Sequence, residues 1–370
     1  MTVNSRQEKG LTIAQLEDQI NKINETAFTV KSQCGNGEYQ VIKSDLGYIC
    51  SCPDSMYRGQ TCKHAHAVAI SVELAKTIKQ NVVTIQPVTI SDCLFCHSQK
   101  LKKSGIRHNK SGDIQRYACL DCKKTFSVNI GFERMKHNPQ AITAAMQLYF
   151  CGESLRNTMH SLELLGVQVS HQTIWNWIEK YCTLMQDYVE KLKPTMSDTW
   201  RADELYMKIG GDLKYVFALM DDQTRYWIAQ EVADTKLRHD ARGLFHKGKV
   251  LAGKKPMKII TDGLASYHDA YKREFFTMTK PRTEHEVSVM TRNQHDNNKM
   301  ERLNGEIRQR EKVMRGLKVK DTPILTGYQV YHNAIRQHEG LNGKTPLEAS
   351  GITVEGENKW ITLIQNASRM

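Results

Sequence analysis

The 370-residue sequence has no run of 18 or more apolar residues, so we expect no segment of it to span a membrane. Its first ten residues, MTVNSRQEKG, lack the apolar stretch of a secretory signal, which favours a cytoplasmic protein. Long repeats and low-complexity tracts are also absent, which excludes collagen-like and coiled-coil rods. With 25% charged and 40% hydrophobic residues, the composition is that of a globular protein of two or three domains.

Positive charge is the strongest bias of the composition: 52 Lys and Arg residues stand against 40 Asp and Glu residues, a net charge of +12. The excess lies in two segments, residues 93–136 with a net charge of +7 and residues 299–320 with a net charge of +5. Clustered cations suit a polyanion such as nucleic acid. For the charge taken alone, however, a solvated cationic surface is the simpler interpretation.

Seven of the ten cysteines fall into two groups with metal-ligand spacing. The first group is a CxC pair, nine further residues and a CxH pair, which supply three thiolates and an imidazole: Cys50, Cys52, Cys62 and His64. Zinc prefers such soft or borderline ligands in a tetrahedron. His66 is an alternative to His64 after a small shift. Each residue alone is more often a buried thiol or a surface histidine, but the four together predict a zinc site.

The second group consists of two CxxC pairs separated by 22 residues, Cys93 with Cys96 and Cys119 with Cys122. Paired CxxC knuckles at about this separation are a strong signal of a zinc ribbon, with a β-hairpin between the knuckles. The hairpin segment is rich in cations, and four of them are candidate DNA contacts: Lys102, Lys103, Arg107 and Arg116. A purely structural ribbon with solvated lysines is the alternative.

Residues 138–193 predict three helices, with a connection of helix-turn-helix length before the third helix. Ser170 is a suitable N-cap for that helix. Polar residues in its first two turns could reach bases or phosphates: His171, Gln172 and Asn176. Its apolar residues are expected in the core: Ile174, Trp175 or Trp177, and Ile178. A helical linker without DNA contacts has nearly equal weight when this segment is considered alone.

From about residue 196 the pattern changes to the order β-β-β-α-β-α-β-α, which is that of a ribonuclease-H-like fold. Asp203 lies on the first strand and Asp262 at the tip of the fourth, so both could meet at one edge of the sheet. Acids at the ends of apolar strands are costly unless paired or metal-bound, and oxygen ligands favour Mg²⁺ or Mn²⁺. Strand alternation is expected to turn Glu204 to the other sheet face, away from the metal, and Asp221 and Asp222 are expected to be turn residues.

A third acid, Glu301, falls on a predicted long helix over residues 297–317. Roughly the same face of this helix carries three cations, which suit a DNA backbone lying along it: Arg308, Lys312 and Arg315. The apolar residues of another face are expected to pack against the sheet: Met300, Leu303, Ile307 and Met314. Two metal ions held by such a set of carboxylates could activate a water or a 3′-hydroxyl for phosphodiester transfer.

Four motifs resemble the DDE transposase/integrase catalytic domain of prokaryotic insertion sequences: ADELYMKIGG, TDGLASYHDAY, NNKMERLNGEIRQREKVMRGLK and YHNAIRQHEGLNGKTPLEASGI. The resemblance covers about residues 198–350. It implies that Asp203, Asp262 and Glu301 form a catalytic triad that binds Mg²⁺ or Mn²⁺. The CxC and CxH group resembles a SWIM-type zinc finger, a module that binds DNA or protein partners.

The sequence thus predicts a multidomain α+β protein with five parts: a SWIM-type zinc-finger domain (1–85), a zinc ribbon (90–136), a helix-turn-helix-like DNA-binding domain (138–193), a ribonuclease-H-like DDE catalytic domain (196–352) and a C-terminal tail (353–370). The expected function is divalent-metal-dependent cleavage and transfer of DNA strands at element ends, with two structural Zn²⁺ ions. The expected partners are double-stranded DNA and further copies of the chain on that DNA, at the nucleoid of a prokaryote. A catalytically silent, zinc-dependent DNA-binding regulator and a nuclease without strand transfer are the alternatives.

Overall fold

The computed structural model describes residues 5–16, 19–24, 26–33, 35, 37–44, 47–80, 83–88, 90–109, 112–278, 281–288, 297–314, 317 and 322–369. The chain divides into two compact units, residues 1–82 and residues 83–370. Among the helices of these described residues, none is long and apolar enough to cross a membrane.

The first unit combines three helices with an antiparallel sheet whose strands follow one another in chain order. Its elements are α1 (Ser5–Gln15), β1 (Ile20–Lys22), β2 (Ala27–Lys31), β3 (Glu38–Ser44), β4 (Gly47–Cys50), α2 (Pro53–Arg58) and α3 (Lys63–Gln80). Gly10 lets α1 approach α3 closely, since a Cβ at this position would lie 2.6 Å from the Cβ of His66. The small core combines apolar side chains such as Val30 and Val41 with three cysteines.

The second unit begins with a short strand, a three-stranded antiparallel hairpin sheet and three helices. These elements are β5 (Val83–Ile85), β6 (Leu101–Asn109), β7 (Gly112–Cys119), β8 (Thr125–Ser127), α4 (Pro139–Cys151), α5 (Leu155–Leu164) and α6 (His171–Lys191). The three helices match the three predicted from the sequence. The N-cap prediction is also confirmed, because Ser170 Oγ accepts a hydrogen bond from the backbone N–H of Thr173 at 3.2 Å.

A mixed five-stranded sheet forms the centre of the second unit, in the spatial order β11-β10-β9-β12-β13. Its elements are β9 (Thr199–Ile209), β10 (Asp212–Asp221), β11 (Trp227–Ala233), α7 (Arg238–Ala252), β12 (Lys258–Thr261), α8 (Ala265–Glu274), β13 (Glu284–Val287) and α9 (Asn298–Met314). The first three strands are antiparallel, and β12 and β13 run parallel to β9. This confirms the predicted element order of a ribonuclease-H-like fold.

The last part of the chain returns to the helices at the start of the second unit. It comprises α10 (Pro323–Val330), continued by a π-helical turn (Tyr331–Ile335), then a 3₁₀ turn (Glu339–Leu341), α11 (Pro346–Ala349), β14 (Ile352–Val354) and α12 (Lys359–Ala367). β14 pairs in parallel with β5. The expectation of a separate C-terminal tail over residues 353–370 is therefore wrong, because α12 packs against α4 and α6.

One hydrophobic core joins the predicted helical domain to the predicted catalytic domain. Trp360 of α12 stacks on Phe150 of α4 with ring centroids 5.7 Å apart, and its Nε1 donates to Gln147 Oε1 at 2.8 Å. The same core continues through α6 and α10 to the large side chains of the sheet, such as Trp200 and Phe217. Residues 138–193 and 196–352 are thus not separate packing units, because they bury their apolar surfaces against each other.

We expect Trp360→Ala to lower the free energy of unfolding by about 3–5 kcal/mol, because it leaves a large cavity and removes the donor to Gln147 Oε1. Urea unfolding of the purified protein measures this loss. Glu357→Ala, an exposed position before α12, is the control and should change stability by less than about 0.5 kcal/mol. Equal stability of the two variants would show that the C-terminal helix does not belong to the core.

Candidate active site

The strands that carry the first two predicted acids lie side by side in the sheet. β12 runs parallel to β9, with Ile260 beside Arg201. Two residues further along this register, Asp262 follows the end of β12 while Asp203 continues β9. Ligand oxygens of Asp203 and Asp262 lie within 4.8 Å of each other. The parallel pairing of β12 with the start of β9 therefore brings these two carboxylates to one point at the edge of the sheet.

The carboxylate of Asp203 is hydrogen-bonded on both oxygens. Oδ1 accepts from the backbone N–H of Glu204, and Oδ2 accepts from Nδ2 of Asn304 in α9, each at 2.9 Å. Burial, followed by the negative charges of Glu204, Asp262 and Glu301, raises the pKa of Asp203 to about 7. Burial also raises the pKa of Asp262. The surroundings of Asp203 and Asp262 therefore oppose the ionisation of these two carboxylates.

Glu204 is closer to this site than strand alternation suggests. Its carboxylate turns toward α8, as expected for the other sheet face, where the hydroxyl of Tyr267 donates to Oε2 at 3.0 Å. The ammonium of Lys236 donates to Oε1 at 2.7 Å. Nevertheless, a ligand oxygen of Glu204 lies within 4.8 Å of those of Asp203 and Asp262. The expectation that Glu204 lies away from the acids is wrong, because alternation sets the face of a strand residue but does not limit the reach of a long side chain.

α9 brings the third predicted acid to the same region. Glu301 lies in the first turn of α9, its side chain is exposed, and it is not among the carboxylates that lie within 4.8 Å of one another. Asn304, nearly one turn further along the helix, reaches Asp203. The negative charge of Glu301 contributes to the raised pKa of Asp203. The structure thus brings Asp203 and Asp262 together and leaves Glu301 beside them.

The predicted faces of α9 are borne out for the side chains that the structure describes. Met300, Leu303 and Ile307 are buried against the sheet. Arg308 and Lys312 are exposed. Arg315 lies outside the described residues. The exposed face of the helix therefore carries cations that continue from the site along its axis.

The donors at this site suit a hard divalent cation. All are oxygens, and three carboxylates so close together repel one another unless a cation lies between them. The amide oxygen Oδ1 of Asn304 is buried and has no hydrogen-bond partner among the described residues. Oxygen-only donor sets fit Mg²⁺ or Mn²⁺ better than they fit zinc. The residues present therefore fit the metal that the sequence predicts.

The N-terminal cysteines and histidine meet as a second, chemically different group. Ligand atoms of four buried residues lie within 4.8 Å of one another: Cys50, Cys52, Cys62 and His64. His64 Nδ1 lies 3.8 Å from Cys50 Sγ and 3.9 Å from Cys62 Sγ. Hydrogen bonds from Cys50 and His64 lower the pKa of Cys62 to about 3. His64, not the alternative His66, faces the thiols.

The four cysteines of the hairpin sheet form a third group. Cys93 Sγ lies 3.6 Å from Cys122 Sγ, and Cys96 Sγ lies 3.6 Å from Cys119 Sγ. A zinc ion with Zn–S bonds of about 2.3 Å places its sulfur ligands about 3.8 Å apart, whereas a disulfide requires about 2.05 Å. The backbone N–H of Cys122 is the main cause of a lowered pKa of Cys119, about 6. The sulfur positions therefore fit a tetrahedral thiolate site.

The register of the hairpin divides its cations between two faces. Lys102 pairs with Ala118, and Arg107 pairs with Ile114, so both lie on the face that also carries Arg116. Lys103 pairs with Tyr117 and lies on the opposite face. An irregularity between residues 103 and 106 shifts the register by one residue. Without this bulge, the odd spacing from Lys102 to Arg107 would put them on opposite faces.

The three polar residues predicted to contact DNA at the start of α6, His171, Gln172 and Asn176, are exposed. Gln172 Nε2 donates to Asn176 Oδ1 at 3.0 Å, and His171 lies at the N-terminus of the helix. The apolar prediction for α6 is confirmed for Ile174, Trp177 and Ile178, which are buried. α6 therefore presents a short polar surface on a firmly anchored helix.

Three residues near the acids were not predicted from the sequence. Asn304 follows Glu301 by three positions, a spacing that places both on neighbouring parts of one helical face, so a signal was present. Lys236 and Tyr267 come from separate segments and have no local pattern. Their contact with Glu204 depends on the packing of α8 over the sheet.

Comparisons with known proteins find similarity over the region that contains this site. A family model of a DDE domain, of the IS240 group, matches residues 197–338. The transposase for insertion sequence element IS257 in transposon Tn4003 of Staphylococcus aureus is 28% identical over 135 residues, which are 35% of this chain and 58% of that protein. An uncharacterized 48.3 kDa protein of insertion element ISM1 from Methanobrevibacter smithii is 28% identical over 145 residues, 35% of each chain. The chain thus spans little more than half the length of the staphylococcal transposase.

Among solved structures, the HTLV-2 integrase catalytic core domain in complex with magnesium (dimeric form) is similar with a TM-score of 0.29. Its sequence is 15% identical, and the match covers 43% of this chain and 98% of that chain. The simian T-cell lymphotropic virus intasome in complex with PP2A regulatory subunit B56 gamma matches with a TM-score of 0.32 and 13% identity, over 56% of this chain and 74% of that chain.

The raised pKa of Asp203 has a consequence for stability. In the protein free of Mg²⁺ and Mn²⁺ it is about 7, whereas the value in an unfolded chain is about 3.9. The folded state therefore binds a proton more tightly than the unfolded state. Protonated Asp203 therefore adds its full contribution to the free energy of unfolding below about pH 4. This contribution is lost as the pH rises through about 7.

We expect Asp203→Asn to stabilise the zinc-loaded protein in buffer without Mg²⁺ or Mn²⁺. The gain in the free energy of unfolding should be about 2 kcal/mol greater at pH 8 than at pH 5.5, because only the higher pH forces a charge onto Asp203. The new amide can donate to the unpartnered Oδ1 of Asn304 once that side chain rotates. Urea unfolding at both pH values measures the difference, and the same gain at both would contradict the assignment.

Proposed function

We propose that the chain is a DNA transposase of the DDE type, which cleaves DNA strands at element ends and joins them to target DNA. The observation that carries the proposal is the meeting of Asp203 and Asp262 at the edge of a ribonuclease-H-like sheet, with Glu301 on the helix beside them. All three acids lie within residues 197–338, the part that matches a DDE domain. Similarity of this region to a staphylococcal transposase supports the same function.

In this proposal, Asp203, Asp262 and Glu301 hold Mg²⁺ or Mn²⁺. The bound ions would supply charge stabilisation at the reacting phosphate and activation of the attacking oxygen. Asn304 orients Asp203 through its hydrogen bond. Both carboxylate oxygens of Glu204 already accept hydrogen bonds, from Lys236 and Tyr267. We therefore propose Glu301, and not Glu204, as the third metal ligand.

The two sulfur-rich groups are proposed to hold structural zinc. Cys50, Cys52, Cys62 and His64 form a SWIM-type zinc finger in this proposal, and Cys93, Cys96, Cys119 and Cys122 form a zinc ribbon. The sulfur separations of 3.6 Å in the second group and the burial of all four residues in the first support this assignment. Both ions would stabilise folding and take no part in strand cleavage.

Three exposed surfaces are proposed to contact double-stranded DNA. The hairpin face with Lys102, Arg107 and Arg116 suits phosphate contacts. The start of α6, with His171, Gln172 and Asn176, has side chains suited to base or phosphate contacts. The cations of α9, Arg308 and Lys312 with Arg315 beyond them, would lie along the backbone next to the acids. We further propose that copies of the chain assemble on paired DNA ends.

The catalytic proposal is tested with DNA carrying the sequences that flank the coding region and with Mn²⁺. We expect Asp262→Asn and Glu301→Gln to lower strand cleavage at least about 100-fold while DNA binding is retained. Glu204→Gln is the matched control, because it removes a nearby carboxylate whose oxygens are already engaged, and it should cost about tenfold at most. Gel analysis of the products measures all three.

Other outcomes would point to a different function. If the wild-type protein binds the flanking DNA but neither it nor any variant cleaves, the chain is a DNA-binding regulator. Cleavage without joined products would indicate a nuclease. Stronger loss in Glu204→Gln than in Glu301→Gln would assign the third ligand to Glu204.

The hairpin register generates a second prediction. Removing a phosphate contact, as in Arg107→Gln or Lys102→Gln, should weaken binding to a generic DNA duplex about fivefold. It should also reduce the magnitude of the slope of the logarithm of the binding constant against the logarithm of the salt concentration by about one. Lys103→Gln removes the same charge from the opposite face and should leave both quantities unchanged. Fluorescence anisotropy across a salt series measures them. Equal effects of Lys103→Gln and Lys102→Gln would contradict a single DNA-contacting face.

A further inference from the structure

A buried carboxylate outside the group of acids connects the elements that carry them. Asp222 follows β10, and its side chain is only 2% exposed. Lys299 Nζ, at the start of α9, donates to the carboxylate of Asp222 at 3.1 Å and to its backbone oxygen at 2.9 Å. Arg201 of β9 donates through Nε to the same carboxylate oxygen, Oδ1. One acid therefore binds a strand and a helix at once.

Each of the two cations that bind Asp222 precedes one of the predicted acids by two residues. Arg201 precedes Asp203 by two residues on β9, so both lie on the same face of the sheet. Lys299 precedes Glu301 by two residues in the first turn of α9. The cluster thus holds the backbone close to the first and the third predicted acids. Its side chains are 2–17% exposed, which limits screening by solvent.

The neighbouring Asp221 shows that the turn itself is stabilised separately. Its Oδ1 accepts from the backbone N–H groups of Gln223 and Thr224, and Oδ2 accepts from Ser197 N–H at 2.6 Å. Asp222 is therefore not needed to close the turn between β10 and β11. Its carboxylate points instead to β9 and α9. Both aspartates lie at this turn, as expected, with Asp221 ending β10 and Asp222 following it in the turn, but the side chain of Asp222 also binds β9 and α9.

We propose that Asp222 is a positioning residue for the metal site. Through Arg201 and Lys299 it fixes the first turn of α9 against β9, so that Glu301 is held where it can join Asp203 and Asp262 on a cation. This inference rests on the proposed function. Asp222 thus anchors the first turn of α9 through Lys299, and the hydrogen bond from Asn304 to Asp203 anchors the second turn.

Mn²⁺ binding to the zinc-loaded full chain tests this role without requiring catalysis. Electron paramagnetic resonance of free Mn²⁺ gives the dissociation constant, with Asp262→Asn defining the background from other sites. We expect Asp222→Asn and Lys299→Met each to raise this constant about tenfold. The double variant should weaken binding by less than the product of the two single effects, because both changes remove the ion pair between Lys299 and the carboxylate of Asp222. Lys299→Arg, which keeps the charge, should restore most of the affinity.

The matched control is Asp198→Asn, which removes a carboxylate just before β9 whose partner is the partly exposed Lys254. It should bind Mn²⁺ like the wild type. Zinc content and thermal unfolding establish that each variant is folded. Wild-type affinity in both Asp222→Asn and Lys299→Met would overturn the positioning role and leave the proposed function intact. Failure of the wild type to bind Mn²⁺ through Asp262 would overturn both.

Discussion

Mutual repulsion among carboxylates at one edge of the sheet is the constraint around which this part of the molecule is organised. Oxygens of Asp203, Glu204 and Asp262 lie within 4.8 Å of one another in a partly buried place, where like charges are poorly screened. The surroundings relieve this repulsion only in part. Lys236 and Tyr267 satisfy Glu204, whereas burial and then the neighbouring negative charges keep the pKa of Asp203 at about 7. An apolar or amide side chain at these positions would favour folding more than an acid does. The presence of acids therefore indicates that their negative charge serves another purpose, such as binding a cation.

Acids that repel one another stay close together only if the strands that carry them are held rigidly. The common core of the second unit holds these strands. The buried side chains of the strands behind the acids are mainly apolar, and the core continues through α6 and α10 to α12. The helix α6 is therefore attached to the sheet by packed side chains, through α10. In the proposed function, this continuity would let contacts at α6 set the position of a DNA strand relative to Asp203 and Asp262.

Much of this arrangement could be predicted because it depends on local pattern. Alternating apolar residues predict the strands, and parallel pairing brings the ends of β9 and β12 together, which accounts for Asp203 and Asp262. Glu204 was misjudged because alternation determines the face of a residue but not how far a long side chain reaches. The helix at residues 359–367 was missed because its burial depends on α4, more than 200 residues earlier in the chain. The shared face of Lys102 and Arg107 depends on a bulge that the spacing of cations does not reveal.

The two kinds of candidate metal site also solve different physical problems. Among the residues that the structure describes, the core around the hairpin sheet contains three buried apolar or thiol side chains, Cys93, Cys119 and Phe126, which are too few to support a fold by burial alone. Thiolate ligands would supply the missing stability by binding zinc, which oxygen donors hold less selectively. At the edge of the sheet the opposite holds, because the core is large and the acids cost stability. In the proposed function, the sulfur donors of the hairpin would select zinc for folding, and the oxygen donors at the sheet edge would select Mg²⁺ or Mn²⁺ for chemistry. The difference in donor type would keep the two kinds of ion apart within the same unit.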